Sequence, residues 1–483
     1  MSSSISTAKA EVVEDDAFGP VMIAIFFGAF VAVLNTSTIN IAIPSLIVDF
    51  NSTIGTIQWT LTGFMLATGL SAPISGYLGD RFGQRNLYVY VLIGLGLASI
   101  LCALAWNPLS LIIFRVIQGF FCGVIMPVTM TIIYQVFSSE KHAFAISLWS
   151  IAGWMGPAFG PTMAGLILQY LSWPWLFIVN VPLVVISIIL AIRLIPDQRH
   201  TTKPSLDISG LILVLYCSFA LLIAFSEASH WGWVSWQTLF FLVTGTIILC
   251  LFMCRSFHKE NPLLNVRVLQ ERQFTISIII NCIISASLFA GVYMVPIFMQ
   301  TIQQVSPLKT GLVLLPASLI MVVVMPLVGK LYHRIGTFRL TMFGLLIIAY
   351  SQWKLNLLTL DASSNYILVW MMVRNIGIAF ASVTVTNAGM EVISKKMYGH
   401  ASAMNNWTRQ VVSSLAIGLF TTLYAVRQSH HFSIMSDQNP SNTNNDLLAM
   451  AEGVNDVFLA STIVILLSIP LVFGLRQQKK PTM

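Results

Sequence analysis

The chain has 483 residues, of which 56% are hydrophobic and only 9% are charged, and its formal net charge is +7. Soluble domains carry about 25% charged residues, so this composition excludes an ordinary soluble protein. The apolar residues come in blocks of about 20 or more, the length of helix that crosses a bilayer core about 30 Å thick. We therefore predict an all-α protein built from membrane-spanning helices.

Apolar runs between charged or Pro/Gly-rich breaks predict fourteen spans along the chain. Residues 1–19 are polar and acidic and lack the features of a cleavable signal peptide, so we expect a cytoplasmic tail before a retained first helix. The predicted spans are 20–43, 56–78, 86–106, 108–137, 143–170, 175–195, 207–226, 236–256, 273–301, 308–332, 338–358, 365–392, 400–426 and 454–475.

These spans predict a chain organised in two six-helix bundles. The N-terminal bundle is expected at 20–195 and the C-terminal bundle at 273–475. Between them, 196–272 forms a linker that contains two inserted transmembrane helices. Residues 476–483 are expected to be a second cytoplasmic tail.

The distribution of basic residues supports this topology. With both termini in the cytoplasm, nineteen of the 25 Lys and Arg residues fall in or beside the inner loops and tails, as the positive-inside rule requires. We therefore expect a multi-pass protein of the cytoplasmic membrane and no nucleic-acid partner. The outside segment 427–453 is predicted to be a flexible loop, and its pair of histidines, His430 and His431, is interpreted as a surface feature.

Histidine and cysteine give no sign of a metal site or a cofactor. The 6 cysteines all lie inside apolar segments, and the 8 histidines lie in predicted loops or at helix ends. Cys250 and Cys254 share a helix face, but a metal site needs further ligands. No cofactor and no disulfide framework are predicted.

A short pattern repeats after the second and the tenth spans. In each copy a glycine ends a helix, basic residues follow, and another glycine permits a tight turn. The repeat fits two related bundles that rock about a site near the midplane of the membrane. The first copy contains Gly76, Asp80, Arg81, Gly83 and Arg85, and the second contains Gly329, His333, Arg334 and Gly336.

Arg115 lies well inside the fourth span, and Gln118 shares its helix face. A charged side chain at the centre of a bilayer costs at least ~2.5 kcal/mol, so Arg115 should face a cavity, water or a partner. A packing anchor is the alternative. We interpret Arg115 as a functional residue, with proton coupling as its expected role. Arg374 in the twelfth span is a second charged residue inside a span, and the same two interpretations, a functional residue or a packing anchor, apply to it.

The fifth span is rich in glycine and proline, which predicts a bendable and closely packed helix. We expect this segment to pack against the other bundle and to serve as a gating interface; a rigid packing kink is the alternative. Its residues are Gly153, Gly156, Pro157, Gly160, Pro161 and Gly165.

Taken in order, these segments resemble three motifs of the major facilitator superfamily: its signature loop, its fourth-helix arginine motif and the antiporter motif of its drug exporters. The resemblance continues through 173–182, Pro296 with Gln300, and 306–316, so it covers most of the chain. With fourteen spans, the chain is similar to the drug:proton antiporters of the QacA, EmrB and LmrB type. The resemblance implies export of hydrophobic or amphipathic compounds, driven by proton entry, and no enzymatic activity.

The first span departs from the family pattern, because Asn35 stands where the pattern has an aspartate. An amide does not titrate, so the role of that carboxylate does not carry over. His333 similarly replaces an acidic residue in the second loop. By elimination, Glu391 near the cytoplasmic end of the twelfth span becomes the candidate proton carrier, and Asp80 is interpreted as a latch between helix ends.

Polar residues from several spans are the candidate lining of the substrate site between the bundles. Each of them can instead serve as a hydrogen-bonding contact between helices. The expected partners are an amphipathic small molecule, protons and membrane lipids, and a monomer is compatible with this plan. The candidates are Asn35, Asn40, Gln118, Tyr293, Gln300, Arg374 and Asn387.

One alternative function stays open. A flippase or exporter of a lipid, a lipid precursor or another anionic amphiphile would suit two buried arginines without buried acids. A peptide importer would carry a Glu-x-x-Glu-Arg cluster in the first span, which this sequence lacks. A receptor would need a soluble effector domain, and an intramembrane enzyme would need a His, Asp or Ser constellation at one depth.

Overall fold

The structure is a computed structural model that describes residues 18–52, 54–196, 207–260, 262–438 and 444–475. Within these ranges the chain forms helices and no strand. Most of the predicted N-terminal tail, residues 197–206 of the linker and the predicted tail at 476–483 lie outside the described residues.

The first half of the chain forms a bundle around α1 and α5. α1 packs on α6 and α8, while α5 packs on α2 and α4. A short 3₁₀ turn at Ala72–Ile74 joins α2 to α3. The helices are α1 (Phe18–Asp49), α2 (Ile54–Ser71), α3 (Ser75–Phe82), α4 (Gln84–Ala103), α5 (Pro108–Val136), α6 (Ser139–Tyr170), α7 (Trp175–Ile178) and α8 (Asn180–Leu194).

Two helices follow, α9 (Ile208–Trp231) and α10 (Trp236–His258), which pack on each other. Asp207 anchors this pair: it caps α9 through the Gly210 amide at 3.0 Å and forms ion pairs with Arg255 at 3.2 Å and Lys259 at 2.7 Å. Burial raises the pKa of the Asp207 carboxyl, but the hydrogen bonds from Lys259, Gly210 and Arg255 outweigh it and hold the pKa well below its ordinary value. The carboxylate therefore stabilises the pair in its charged form.

The second half forms a bundle around α14, which packs on α11, α12 and α13. α15 packs on α11 and α16. A π-helical turn, Ile297–Ile302, continues α11. The helices are α11 (Arg272–Pro296), α12 (Pro307–Ile335), α13 (Thr337–Leu355), α14 (Ser364–Glu391), α15 (Tyr398–Gln438) and α16 (Asn445–Val472).

The halves meet along two seams. α6 packs on α12 at one seam, and α15 packs on α3 and α5 at the other. The inserted helix α9 contacts both α2 and α15, so it lies against the second seam.

The predicted class of helical membrane protein is confirmed, whereas the predicted number of spans is not. Among the described residues, 11 helices are long and apolar enough to cross a membrane. The span predicted at 56–78 covers α2 and the start of α3, and those at 143–170 and 338–358 fall on α6 and α13; none of these helices is among the 11.

The prediction of a flexible loop at 427–453 is wrong for 427–438 and 445–453, which are helical, while 439–443 lie outside the described residues. α15 continues to Gln438, and α16 begins at Asn445. Arg427 and His431, one turn apart on α15, both contact Asp456 of α16, at 2.5 and 2.8 Å. These polar contacts hold the two helix ends together in a segment whose composition favoured a solvated loop.

The repeated pattern marks equivalent turns in the two halves. Gly83 separates α3 from α4 with φ +82°, and Gly336 separates α12 from α13 with φ +86°. Residues with a side chain rarely adopt this conformation, so both turns need glycine.

Candidate functional site

A polar cluster lies inside the first half, where Arg115 is fully buried. Arg115 donates to the Gln118 Oε1 at 2.6 Å and to the backbone carbonyl oxygens of Thr60 and Asn35 at 3.2 and 3.4 Å. The Phe64 ring centroid lies 4.0 Å from the Arg115 Cζ. The charge is thus held by carbonyl dipoles, an amide and an aromatic face.

Asn35 uses both ends of its amide in this cluster. Its Oδ1 accepts hydrogen bonds from Gln118 Nε2 and Asn180 Nδ2, both at 3.0 Å, and its Nδ2 donates to the Val31 carbonyl oxygen at 2.9 Å. Ser99 accepts a further bond from Gln118 at 2.8 Å. A carboxylate would keep the two accepted bonds but would lose the donated one.

The second half carries a related arrangement around Arg374, which is also fully buried. Its Nη2 donates to the carbonyl oxygens of Ser287 and Leu288 of α11 at 2.6 and 2.7 Å. The guanidinium lies against Gly291, where an added Cβ would come within 2.8 Å of the Arg374 Cζ. The Nε and Nη1 of Arg374 have no hydrogen-bond partner in the described part of the chain, in contrast to the bonded nitrogens of Arg115.

At one end of the molecule the two halves come into backbone contact; we call this end the closed face. Gly76 of α3 faces Gly399 of α15, whose carbonyl atoms would lie 3.4 Å from an added Cβ. Gly329 of α12 faces α6, where an added Cβ would lie 2.8 Å from the Ala143 carbonyl oxygen and 2.9 Å from the Phe144 Cα. The first glycine of each repeated pattern therefore occupies one of the two seams.

Histidines join the halves beside both glycines. The Nε2 of His400 lies 3.2 Å from Asp80 Oδ2, and its Nδ1 accepts a hydrogen bond from the backbone N–H of Asn265 at 3.3 Å. Because Nδ1 is an acceptor, Nε2 carries the hydrogen and donates to Asp80. At the other seam, His333 Nε2 lies 2.9 Å from the Glu140 carbonyl oxygen.

The other charged residues of the first repeated pattern bond within their own half. Arg81 donates to the Tyr77 hydroxyl at 2.8 Å, and Arg85 donates to the Ile192 carbonyl oxygen. The structure therefore separates Asp80, which reaches across the closed face, from the two arginines beside it.

Glu391, the last residue of α14, lies in a hydrogen-bonded chain that crosses between the halves. Tyr332 donates to its Oε2 at 2.8 Å, and the Asn387 Nδ2 donates to its Oε1 at 2.9 Å. The Tyr134 hydroxyl of α5 donates to the Asn387 Oδ1 at 3.3 Å. The Tyr134 ring packs on Tyr398 of α15, with centroids 5.3 Å apart. A change in the protonation of this carboxylate can therefore alter hydrogen bonds in both halves at the closed face.

The fifth predicted span forms α6, which packs on α12 of the other half as expected, but Gly156 does not provide that contact. An added Cβ at Gly156 would lie 2.4 Å from the Val33 Cγ1 and 2.9 Å from the Val33 carbonyl carbon, so this glycine packs on α1 of its own half. Gly160 is buried, Gly153 lies near Met126, and Gly165 has open space around it. The side chains of Pro157 and Pro161 lie outside the described residues.

The candidate lining residues fall into three groups. Asn35, Gln118, Arg374 and Asn387 are buried in the contacts above. Tyr293, which packs beside a phenylalanine ring of α11, and Gln300, in the π-helical turn, are partly buried. The side chain of Asn40 lies outside the described residues.

Sequence reasoning missed several polar residues that the structure brings into these clusters. Most are isolated polar side chains in apolar helices, which was the available signal; His400 lies at the start of α15, and Tyr332 lies near the end of α12. The most informative are Ser99, Tyr134, Asn180, Ser287, Tyr332, Gln352 and His400.

The sequence profile of the Major Facilitator Superfamily matches residues 25–417, which is most of the chain. The chain belongs to the major facilitator superfamily. The predicted resemblance to this superfamily is thereby confirmed, and the chain is a multi-pass membrane transporter rather than an enzyme.

Several members of this superfamily are similar along nearly the whole chain. The MFS-type transporter YhcA of Bacillus subtilis is 31% identical over 438 residues, 91% of this chain and 82% of that protein. The lincomycin resistance protein LmrB of the same species is 26% identical over 462 residues, 95% of this chain and 96% of that protein. The multidrug export protein EmrB of Escherichia coli is 25% identical over 428 residues, 87% and 83% of the two chains.

A solved structure has the same fold. The human organic anion transporter MFSD10 superimposes with a TM-score of 0.67 at 12% identity, covering 94% of this chain and 99% of that chain. At this level of identity the likeness concerns the fold alone.

Proposed function

We propose that this transporter exports hydrophobic or amphipathic small molecules across the cytoplasmic membrane by alternating access, driven by proton entry. Similarity to LmrB and EmrB, a resistance protein and a multidrug export protein, supports the substrate class. The single observation that supports the mechanism is the pair of glycine contacts between the halves, Gly76 with Gly399 and Gly329 with α6. Alternating access requires two bundles that separate at one end of the molecule, and two matched seams can open together there.

The closed face is proposed to be cytoplasmic. It carries the loops after α3 and α12, with Arg81, Arg85, Arg334 and Arg339, and the positive-inside rule assigns such loops to the cytoplasm. This orientation puts both chain termini inside. The closed face would then separate the cytoplasm from a substrate site that opens outward.

Glu391 is the proposed proton carrier. It is a carboxylate that joins α12 and α14 to α5 through Tyr332, Asn387 and Tyr134, at the place where the halves must separate. The neutral acid and the carboxylate differ in how many hydrogen bonds they accept, so protonation changes the strength of this chain. A proton bound here would therefore bias the closed face toward opening or closing.

The test is efflux from vesicles with and without a pH gradient. Glu391→Gln should still bind a fluorescent amphiphile, but its rate of gradient-driven transport should fall at least tenfold, because an amide cannot release a proton. Glu227→Gln, which changes an acid of the inserted helix α9, is the matched control and should transport normally. Gradient-driven transport by Glu391→Gln at the wild-type rate would refute Glu391 as the carrier.

A second candidate function is export or flipping of an anionic amphiphile. It is favoured by Arg374, whose buried guanidinium has two nitrogens without a hydrogen-bond partner in the described part of the chain. A carboxylate or phosphate of a substrate would satisfy these donors by charge-assisted hydrogen bonds. Competition between matched anionic, neutral and cationic amphiphiles decides between the two candidates: exclusive uptake of the anionic member favours the second.

A further inference from the structure

The seam between α6 and α12 contains a cavity of about 450 Å³ at the closed face. Lys330 and Arg334 line it, together with Glu140, and both cations are exposed. No carboxylate of the described residues forms an ion pair with either cation. The Lys330 Nζ instead lies 5.5 Å from the centroid of the Phe144 ring, across the seam. The cavity therefore holds two cations against the one carboxylate of Glu140, so its charged side chains give it a net positive charge.

An apolar surface leads away from these cations along α12. Leu327 lines the cavity and is 50% exposed, and Val323, one turn further, is 68% exposed. Leu319 continues the same helix face, so the surface extends for about 12 Å at 1.5 Å per residue. A ligand that matches both parts has a negative head and an apolar tail.

The two seams differ in what lies against them. At the α3–α15 seam, α9 packs on α2 and α15, and the Asn265 amide bonds to His400. Asp80 also places a carboxylate there, where the α6–α12 seam has His333 at the matching position of the repeat. The α6–α12 seam keeps a cavity in which two cations outnumber one carboxylate, so it offers a complementary surface to an anion.

We propose that this cavity binds the phosphate head group of an anionic phospholipid, with one acyl chain along Leu327 and Val323. Lys330 and Arg334 contact the phosphate, and the Phe144 ring keeps Lys330 at the cavity wall. Because Phe144 of α6 lines the same cavity as Lys330 and Arg334 of α12, a lipid in the cavity contacts both halves and stabilises the closed face. Binding is independent of the proposed export function; only the effect on transport depends on it.

Binding is tested by native mass spectrometry of the delipidated full chain, titrated with phosphatidylglycerol, phosphatidylcholine, a glycerophosphate without acyl chains, or inorganic phosphate. We expect phosphatidylglycerol to bind at least tenfold tighter than phosphatidylcholine. Each cation near an anionic surface contributes roughly fivefold, so the double variant Lys330→Gln, Arg334→Gln should lose about 25-fold. The control is Lys354→Gln, a lysine that also lies on aromatic rings, 5.0 Å from the Trp353 ring, at the opposite end of α13.

Each outcome decides the proposal. Loss in the double variant with normal binding in the Lys354 variant supports it, and so does weaker lipid binding in Leu327→Gln. Equal phosphatidylglycerol binding in all variants overturns it. Inorganic phosphate that binds as tightly as the lipid also overturns it and leaves a simple anion site. If lipid binds as expected but efflux is the same in phosphatidylcholine and phosphatidylglycerol vesicles, the site stands and its proposed effect on the closed face fails.

Discussion

The seam at Gly329 gives the sharpest quantitative prediction about the closed face. In Gly329→Ala the new Cβ would lie 2.6 Å from the Ser147 Oγ, 2.8 Å from the Ala143 carbonyl oxygen and 2.9 Å from the Phe144 Cα. The hydroxyl can rotate away, but the two backbone atoms move only if α6 and α12 separate. Overpacking of this kind costs about 1–3 kcal/mol. The closed face should therefore lose roughly 5- to 150-fold in population.

Gly311→Ala on the same helix is the matched control, because nothing lies within 4 Å of its added Cβ. Replacing glycine by alanine in a helix stabilises it by roughly 0.5–1 kcal/mol, and this gain is shared by both variants. Any difference between them therefore reports the contact at the seam.

The measurement is the distance distribution between spin labels on Phe82 and Lys396, one in each half at the closed face. The exposed Cys250 and Cys254 are first replaced by serine. We expect a longer distance to become dominant in Gly329→Ala and the short distance to persist in Gly311→Ala. Identical distributions in the two variants would show that the added methyl group does not change the population of the closed face and would refute the reasoning.

Three further predictions follow from individual contacts. Asp207→Asn should lower the thermal stability measured in detergent at neutral pH. Since the pKa of Asp207 is depressed in the folded protein, its carboxylate should stabilise the wild type fully at pH values above the ordinary pKa of 3.8, and this stabilisation should fall away at lower pH. Gly156→Leu should destabilise the first half by overlap with Val33, which reduces the yield of folded protein, whereas normal folding with slow transport would restore a gating role. Asp80→Asn should fold and insert but shorten the lifetime of the closed face by weakening its bond to His400, measured as faster labelling of a cysteine introduced at that face.

The sequence was sufficient for the order of the helices and for the turns at Gly83 and Gly336, because long apolar runs and repeated glycines are local signals. It could not assign Gly156 to α1 rather than to the other half, since a small residue shows that some helix approaches but not which one. The extension of α15 was missed for a related reason. Arg427 and His431 look like loop residues until Asp456 of α16 is placed beside them.

The charged residues of the candidate site could be predicted from the sequence, but the residues that bond to them could not. Arg115 stood out because a charge in an apolar span is costly, but its carbonyl partner Thr60 carries no sequence signal. Glu391 was reached by elimination, and nothing in the sequence indicated its bond to Tyr332 or the bond from Tyr134 to Asn387, because tyrosines are ordinary in a membrane helix.

Asn35 carries the last prediction, which concerns charge selectivity. In Asn35→Asp the new oxygen replaces a donor that lies 2.9 Å from the Val31 carbonyl oxygen, so that position favours a protonated acid. The other oxygen still accepts from Gln118 and Asn180, which favours the carboxylate, as does the neighbouring Arg115. The variant thus gains a titratable group in a cluster that is otherwise balanced by neutral dipoles, and transport should acquire a new pH dependence and shift toward cationic dyes. Efflux of matched cationic and neutral compounds between pH 6 and 8 measures both effects, with Asn35→Ser, which cannot titrate, as the control. A wild type that already exports permanently cationic dyes as well as neutral ones, with no change in the aspartate variant, would mean that this cluster does not set charge preference.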